Sequence, residues 1–243
     1  MRGLGIVLGL SVVLLSGFCG AADDATPAIS TFAPADILVA QIEGGVKSLE
    51  KSVRAEKNFE LDAFQQNAAT LAVMAMTLGM SDEASDLKPA TPAIVTAAIA
   101  AVEAVDYATA KAAAKAVSDA MKTSDDAAMK EMQWQKVCDI AILMKKVPLV
   151  DTRLRRELKK GKTEQAVVLA AIAQVASHDT SLGTTPQEKA DWVKFSEMMR
   201  DHAAALPGIV ADGDEDALEE AQDLLTDSCD QCHEVFQVDT KAK

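Results

Sequence analysis

Residues 214–238 read DEDALEEAQDLLTDSCDQCHEVFQV, and this stretch contains Cys229-Asp230-Gln231-Cys232-His233. Acidic side chains at Asp212–Asp216 sit where the positive end of a helix starting near Asp214 would favour them. On such a helix Cys229, Cys232 and His233 fall at i, i+3 and i+4 and share one face. Two thiols so placed can add across the vinyl groups of a haem while the adjacent imidazole binds its iron from one side. Three plainer readings compete. A thioredoxin-like CxxC belongs at a strand-to-helix junction, and nothing here reads as a strand. A structural zinc site needs further ligands, for which His178, His202 and Cys138 are available. A chance match is the third.

The other end of the chain bears on the choice. Arg2 precedes an apolar run from Leu4 to Leu15, and small residues follow up to Gly20-Ala21-Ala22 before Asp23-Asp24. The run is short for a membrane span and has the exit of a Sec signal peptide, so residues 1–22 read as a leader and the mature protein as periplasmic. Cys19 raises lipidation, but Phe18 stands where a lipobox requires a small residue. Export leaves Cys138, Cys229 and Cys232, an odd count that argues against a disulfide framework.

Composition points to helix. Of 243 residues 49% are hydrophobic and 25% charged, a globular balance, while only 4% are aromatic and five of the 12 glycines lie within the leader. A sheet protein would lack turn glycines and β-branched or aromatic surface. The net charge of −13 argues against nucleic acid and anionic membrane as main partners.

Seven prolines divide the chain at or between segments of helical apolar period. In the C-terminal half the pattern predicts helices over about 125–147, 163–177, 186–206 and 214–238, with a short basic helix or loop at 151–160. Thr185-Pro186-Gln187-Glu188 supplies a Thr cap and a first-turn Pro for the third long helix. Four long amphipathic helices with short connections predict an antiparallel four-helix bundle. The N-terminal half reads as a degenerate copy. Ser48–Val53 parallels Ile142–Val147, Leu71–Ala75 parallels Leu169–Ala173, and Ala90-Thr91-Pro92 parallels Thr184-Thr185-Pro186, at offsets of 94, 98 and 94 residues. Where the second copy reaches Cys229 the first ends in Lys122–Asp125 without a CxxCH, although two Ala-rich amphipathic helices can align this well by chance. The expected organisation is therefore a leader at 1–22, a helical bundle without haem motif at 23–125 and a haem-binding bundle at 126–243.

A C-terminal helix ending in Cys229–Phe236, after a helix containing Trp192-Val193-Lys194-Phe195, resembles the cytochrome c′ superfamily of four-helix-bundle c-type cytochromes. The resemblance covers about 127–238, and CxxCH is its one highly specific element. It implies one covalent haem c on Cys229 and Cys232, with His233 as proximal ligand of the iron. Phe236 matches the aromatic position that follows, whereas Gln237 replaces the usual Arg or Lys.

By the same likeness a residue of the first bundle helix faces the iron from the distal side. Val137, Ile140, Met144 and Val147 recur at helical spacing, and Met144 stands at the corresponding position; Met129 and Met132 lie a turn or more earlier. A methionine there gives a six-coordinate haem suited to electron transfer, and an apolar wall leaves a five-coordinate haem open to nitric oxide or carbon monoxide. Met144 as core filler is the plain alternative. His178 and His202 fall on the second and third helices, away from that wall, and Cys138 reads as a small buried thiol.

Ten acidic and no basic residues lie between Asp212 and Glu234, while Lys145–Lys162 holds eight basic residues against Asp151 and Glu157. These are solvated faces, or else the acidic rim steers a basic redox partner toward the haem edge. The same charges would serve a homodimer or a pairing of the two bundles within one chain. No Ser/His/Asp or Cys/His arrangement, HExxH or phosphate-cradling glycine loop is present, so a non-enzyme is expected. The sequence thus predicts an all-α exported electron carrier with one haem, and a gas-binding haem protein as the alternative.

Overall fold

The computed structural model describes residues 27–236; the leader reading at 1–22, and Gln237, lie outside them. The described residues are all-α, with nine α-helices, short 3-10 turns and no strand. The helices are α1 (Ala35–Ser52), α2 (Leu61–Met80), α3 (Thr91–Val102), α4 (Tyr107–Ala120), α5 (Asp126–Lys130), α6 (Ile140–Leu158), α7 (Glu164–Ser177), α8 (Pro186–Asp212) and α9 (Glu215–Val235).

Two helices carry a long stretch that is buried on every side. Each residue from Leu71 to Gly79 on α2 and from Ala166 to Ser177 on α7 is buried. A helix without a polar face has to be covered all round. Accordingly α2 packs on α1, α3, α6 and α7, and α7 on α1, α2, α6 and α8. The remaining long helices bury one stripe each, as Leu38, Ile42, Val46 and Leu49 do on α1. The buried apolar side chains of both halves form one continuous core. Neighbours in sequence are neighbours in space within each half, α1–α2–α3–α4 and α6–α7–α8–α9. The halves differ at closure. Helices α1 and α4 pack on each other, whereas α6 and α9 stand apart.

The helix expected over 125–147 is interrupted. After α5 the chain runs without regular structure to Asp139, whose carboxylate accepts from Ala141 N at 3.0 Å and caps α6. The interruption follows from side chains held on different sides. The Met132 sulfur accepts from the Thr91 hydroxyl at 3.3 Å, Trp134 stacks on His178 with centroids 4.9 Å apart, and Lys136 pairs with Asp179 at 3.7 Å. Val137 therefore lies outside the helix that carries Ile140, Met144 and Val147. The short segment expected at 151–160 is instead the continuation of α6, and α8 runs past Leu206 to Asp212. Pro148 and Pro207 lie inside these helices instead of ending them. Each removes one N–H of the ladder, a cost that burial of the long apolar stripes offsets. The Thr185 cap forms as its signature predicts: the Thr185 hydroxyl accepts from Glu188 N at 3.1 Å and the Glu188 carboxylate accepts from Thr185 N at 3.1 Å. Gly213, at φ 72°, ends α8 in the left-handed conformation that glycine adopts without strain.

Because one core joins the halves, a cavity in one should loosen both. Phe64 on α2 is fully buried, and both tryptophans of the chain, Trp134 and Trp192, lie in the other half. Phe64→Ala is expected to cost about 3–5 kcal/mol and to lower the denaturation midpoint read from tryptophan fluorescence. An unchanged fluorescence midpoint with a shifted helical signal would mean the halves unfold separately.

Candidate haem site

The gap between α6 and α9 is a cavity of about 240 Å³ with walls from four helices. Helix α9 contributes Cys229, Cys232 and His233 on its last two turns. They continue the inward stripe of Ala221, Leu225 and Ser228, so the packing that buries α9 also turns both thiols toward the cavity. Across from them α6 contributes Met144, Val147, Pro148, Asp151 and Arg155, a single face at spacings of three and four. The floor comes from Ala173 and Ala176 on α7 and from Trp192, Phe195 and Met199 on α8. Small residues on α7 leave the space that the aromatic residues on α8 line.

Trp192 is fixed in place. Its indole N–H donates to the Ala176 carbonyl at 2.8 Å, and Phe236 meets its ring edge-on with centroids 5.3 Å apart. Phe236 also lies against Phe195, at 6.5 Å, so the residue three places after His233 is pinned into an aromatic corner. That contact anchors the end of α9 and with it the direction of the CxxCH turns.

Both thiols are free and half-buried. Burial pushes the Cys232 thiol up to about 11, and burial followed by the nearby Asp151 carboxylate pushes Cys229 up as well. They are thus protonated at neutral pH, unlike the low-pKa thiolate of a redox CxxC. The pair also lies inside α9, not at a strand-to-helix junction. His233 is exposed at the cavity mouth, and its ring makes no hydrogen bond to any described residue, which leaves both nitrogens free for a ligand. Two reduced thiols, an uncommitted imidazole and a thioether around an apolar space form a donor set that fits a covalently held haem.

The other residues singled out by sequence lie elsewhere. His178 stacks on Trp134, and its Nε2 accepts from the Gln174 amide at 3.0 Å. Desolvation, then the Arg200 charge, lowers its pKa and keeps it neutral in that role. His202, whose Nδ1 is buried without a partner, and Cys138, pushed up to about 12 chiefly by burial, do not line the cavity either. Met129 and Met132 are likewise absent from its walls. Among the described residues no three His, Cys, Asp or Glu side chains gather as a metal cage.

Arg155 is a feature that the sequence reading left within a basic run. Its Nε donates to Asp151 at 2.9 Å and its Nη2 to the Thr226 hydroxyl at 2.9 Å, so it clasps α6 to α9 across the cavity. A carboxylate four residues before an arginine on a cavity-facing stripe was the available signal; the reach to Thr226 was not.

Searched against family models, curated proteins and solved structures, the chain matches none. No described helix is long and apolar enough to cross a membrane.

The indole hydrogen bond makes a specific prediction. Trp192→Phe keeps most of the ring but leaves the buried Ala176 carbonyl without its donor, and is expected to cost about 1–3 kcal/mol in urea denaturation followed by circular dichroism. A change below about 0.5 kcal/mol would mean that water replaces the indole.

Proposed function

We propose that the chain is an exported c-type cytochrome of the four-helix-bundle type that carries one electron on one covalent haem. The observation that carries this reading is the shared cavity: Cys229, Cys232 and His233 on α9 and Met144 on α6 line one largely apolar space between helices that stand apart. In this reading α1–α4 and α6–α9 are two tandem antiparallel bundles, and only the second holds the cofactor.

The roles follow from the donor set. Cys229 and Cys232, both reduced, would hold the haem by thioether bonds formed when each S–H adds across a vinyl group, an addition in which nothing leaves. His233 would bind the iron through an imidazole nitrogen, and Met144 would offer it a thioether. The bound haem supplies an iron that alternates between Fe(III) and Fe(II), and thioether ligation favours the reduced state. Trp192, Phe195 and Met199 exclude water from the floor.

The periplasm is the proposed location, on the strength of the leader at 1–22. Eight acidic residues are exposed on α9, Glu215, Asp216, Glu219, Glu220, Asp223, Asp227, Asp230 and Glu234, and they favour a basic redox partner, with an encounter rate that falls as salt rises. The N-terminal bundle packs on α6 and α7 through α2, and it takes the role that a second subunit would have in a dimer.

The test is the absorption spectrum of the purified exported protein, oxidised, reduced, and reduced with carbon monoxide, with a pyridine haemochrome count. One haem per chain and a sharp low-spin reduced spectrum that carbon monoxide leaves unchanged are expected. Met144→Ala should then turn the spectrum high-spin and sensitive to carbon monoxide, with a lower reduction potential. Absence of covalent haem would overturn the proposal. A carbon-monoxide-sensitive wild type would return Met144 to the core and favour a gas-binding haem protein.

A further inference from the structure

A second cavity, of about 130 Å³, lies where α1 and α2 meet α6 and α7, and its chemistry is opposite to that of the first. At its base is Lys146, only 6% exposed, two residues after Met144 and so on another face of α6. Its ammonium donates to the Asn67 side-chain carbonyl at 2.7 Å and to no other described side chain. Arg153, an exposed residue of α6 that also lines the cavity, makes no ion pair and no side-chain hydrogen bond among the described residues. Thr70 and Gln165 add neutral polar groups, and no Asp or Glu lines the space. A buried ammonium ordinarily has a carboxylate partner, because a neutral amide offsets little of the lost hydration. Here a second cation replaces the missing carboxylate.

We infer that this cavity binds a small oxyanion, held by Lys146 and Arg153 with Asn67 and Gln165 as neutral partners. The site is independent of the haem reading. Lys146 has two further N–H donors and Arg153 a full guanidinium fork for the ligand. The opening is bare because α1 presents Gly44 there, where an added Cβ would meet nothing within 4 Å, while Gly45 beside it lies close on Leu71. The groups facing the ammonium from α1, α2 and α7 are uncharged, so Arg153 is the one other charge lining the cavity.

Calorimetric titration of the full exported protein with sodium sulfate, phosphate and acetate, at constant ionic strength in sodium chloride, tests the inference. Saturable one-to-one binding of at least one anion is expected; sulfate and phosphate together indicate a tetrahedral ligand, and acetate alone a carboxylate. Lys146→Met should weaken binding at least tenfold. Gly44→Leu, which adds bulk on the α1 side of the cavity without changing a charge and suits a helix better than glycine, should weaken binding while the protein remains folded. The inference is overturned if none of the three anions binds saturably, or if Gly44→Leu and Lys146→Met bind as the wild type does.

Discussion

The structure depends on covering two helical stretches that are buried on every side. Helices α2 and α7 are buried from Leu71 to Gly79 and from Ala166 to Ser177, and they touch one another. Water-exposed apolar surface on either would cost roughly 25 cal/mol per Å², so each recruits neighbours on every flank. That requirement explains why α1 reaches α7, why α2 reaches α6, and why the core runs through both halves without interruption. It also explains the internal similarity read from the sequence. Leu71–Ala75 and Leu169–Ala173 occupy equivalent central positions, where small and branched apolar residues are the ones that fit.

Helix α6 joins the two cavities. Met144, Val147, Asp151 and Arg155 face the space shared with α9, while Lys146, Val150 and Arg153 face the polar one, and Leu143, Leu154 and Leu158 are buried in the core. Pro148 falls in the middle of the helix and lines the first of these spaces. Its missing N–H leaves the Met144 carbonyl without the usual partner one turn later, which is where such a helix bends most readily.

Much of this was legible in the sequence for a local reason. The all-α class, the Thr185 cap and the placement of Cys229, Cys232 and His233 on one helix follow from composition, a capping signature and helical spacing, none of which needs tertiary information. Met144 was singled out by the resemblance, which places the family's distal position there on a stripe with Ile140 and Val147, and it lines the cavity with the CxxCH. What failed depends on distant partners. The break before Asp139 is held by Thr91, His178 and Asp179, and the continuation of α6 and α8 through Pro148 and Pro207 is decided by burial that outweighs a proline. Lys146 stands in a basic run that reads as solvated, yet the neighbours that bury it belong to the other half of the chain.

The difference between the two halves is then a question of what stands on the fourth helix and its opposite. The buried stripe of α4 is Ala110, Ala114, Val117 and Ala120, small enough for α1 to approach directly, and the Tyr107 hydroxyl donates to the Val53 carbonyl at 2.9 Å to fasten the junction. On α9 the stripe is Ala221, Leu225, Ser228 and the two cysteines, and the facing side of α6 carries Met144, a proline and the Asp151–Arg155 pair. Charged groups on that face resist closure, since bringing them against apolar Leu225 would strip their water without a new partner. Arg155 instead spans the distance to Thr226 and holds the opening at its width. The open half is therefore set apart by polar residues that keep two helices from meeting, and the closed half by alanines that let them.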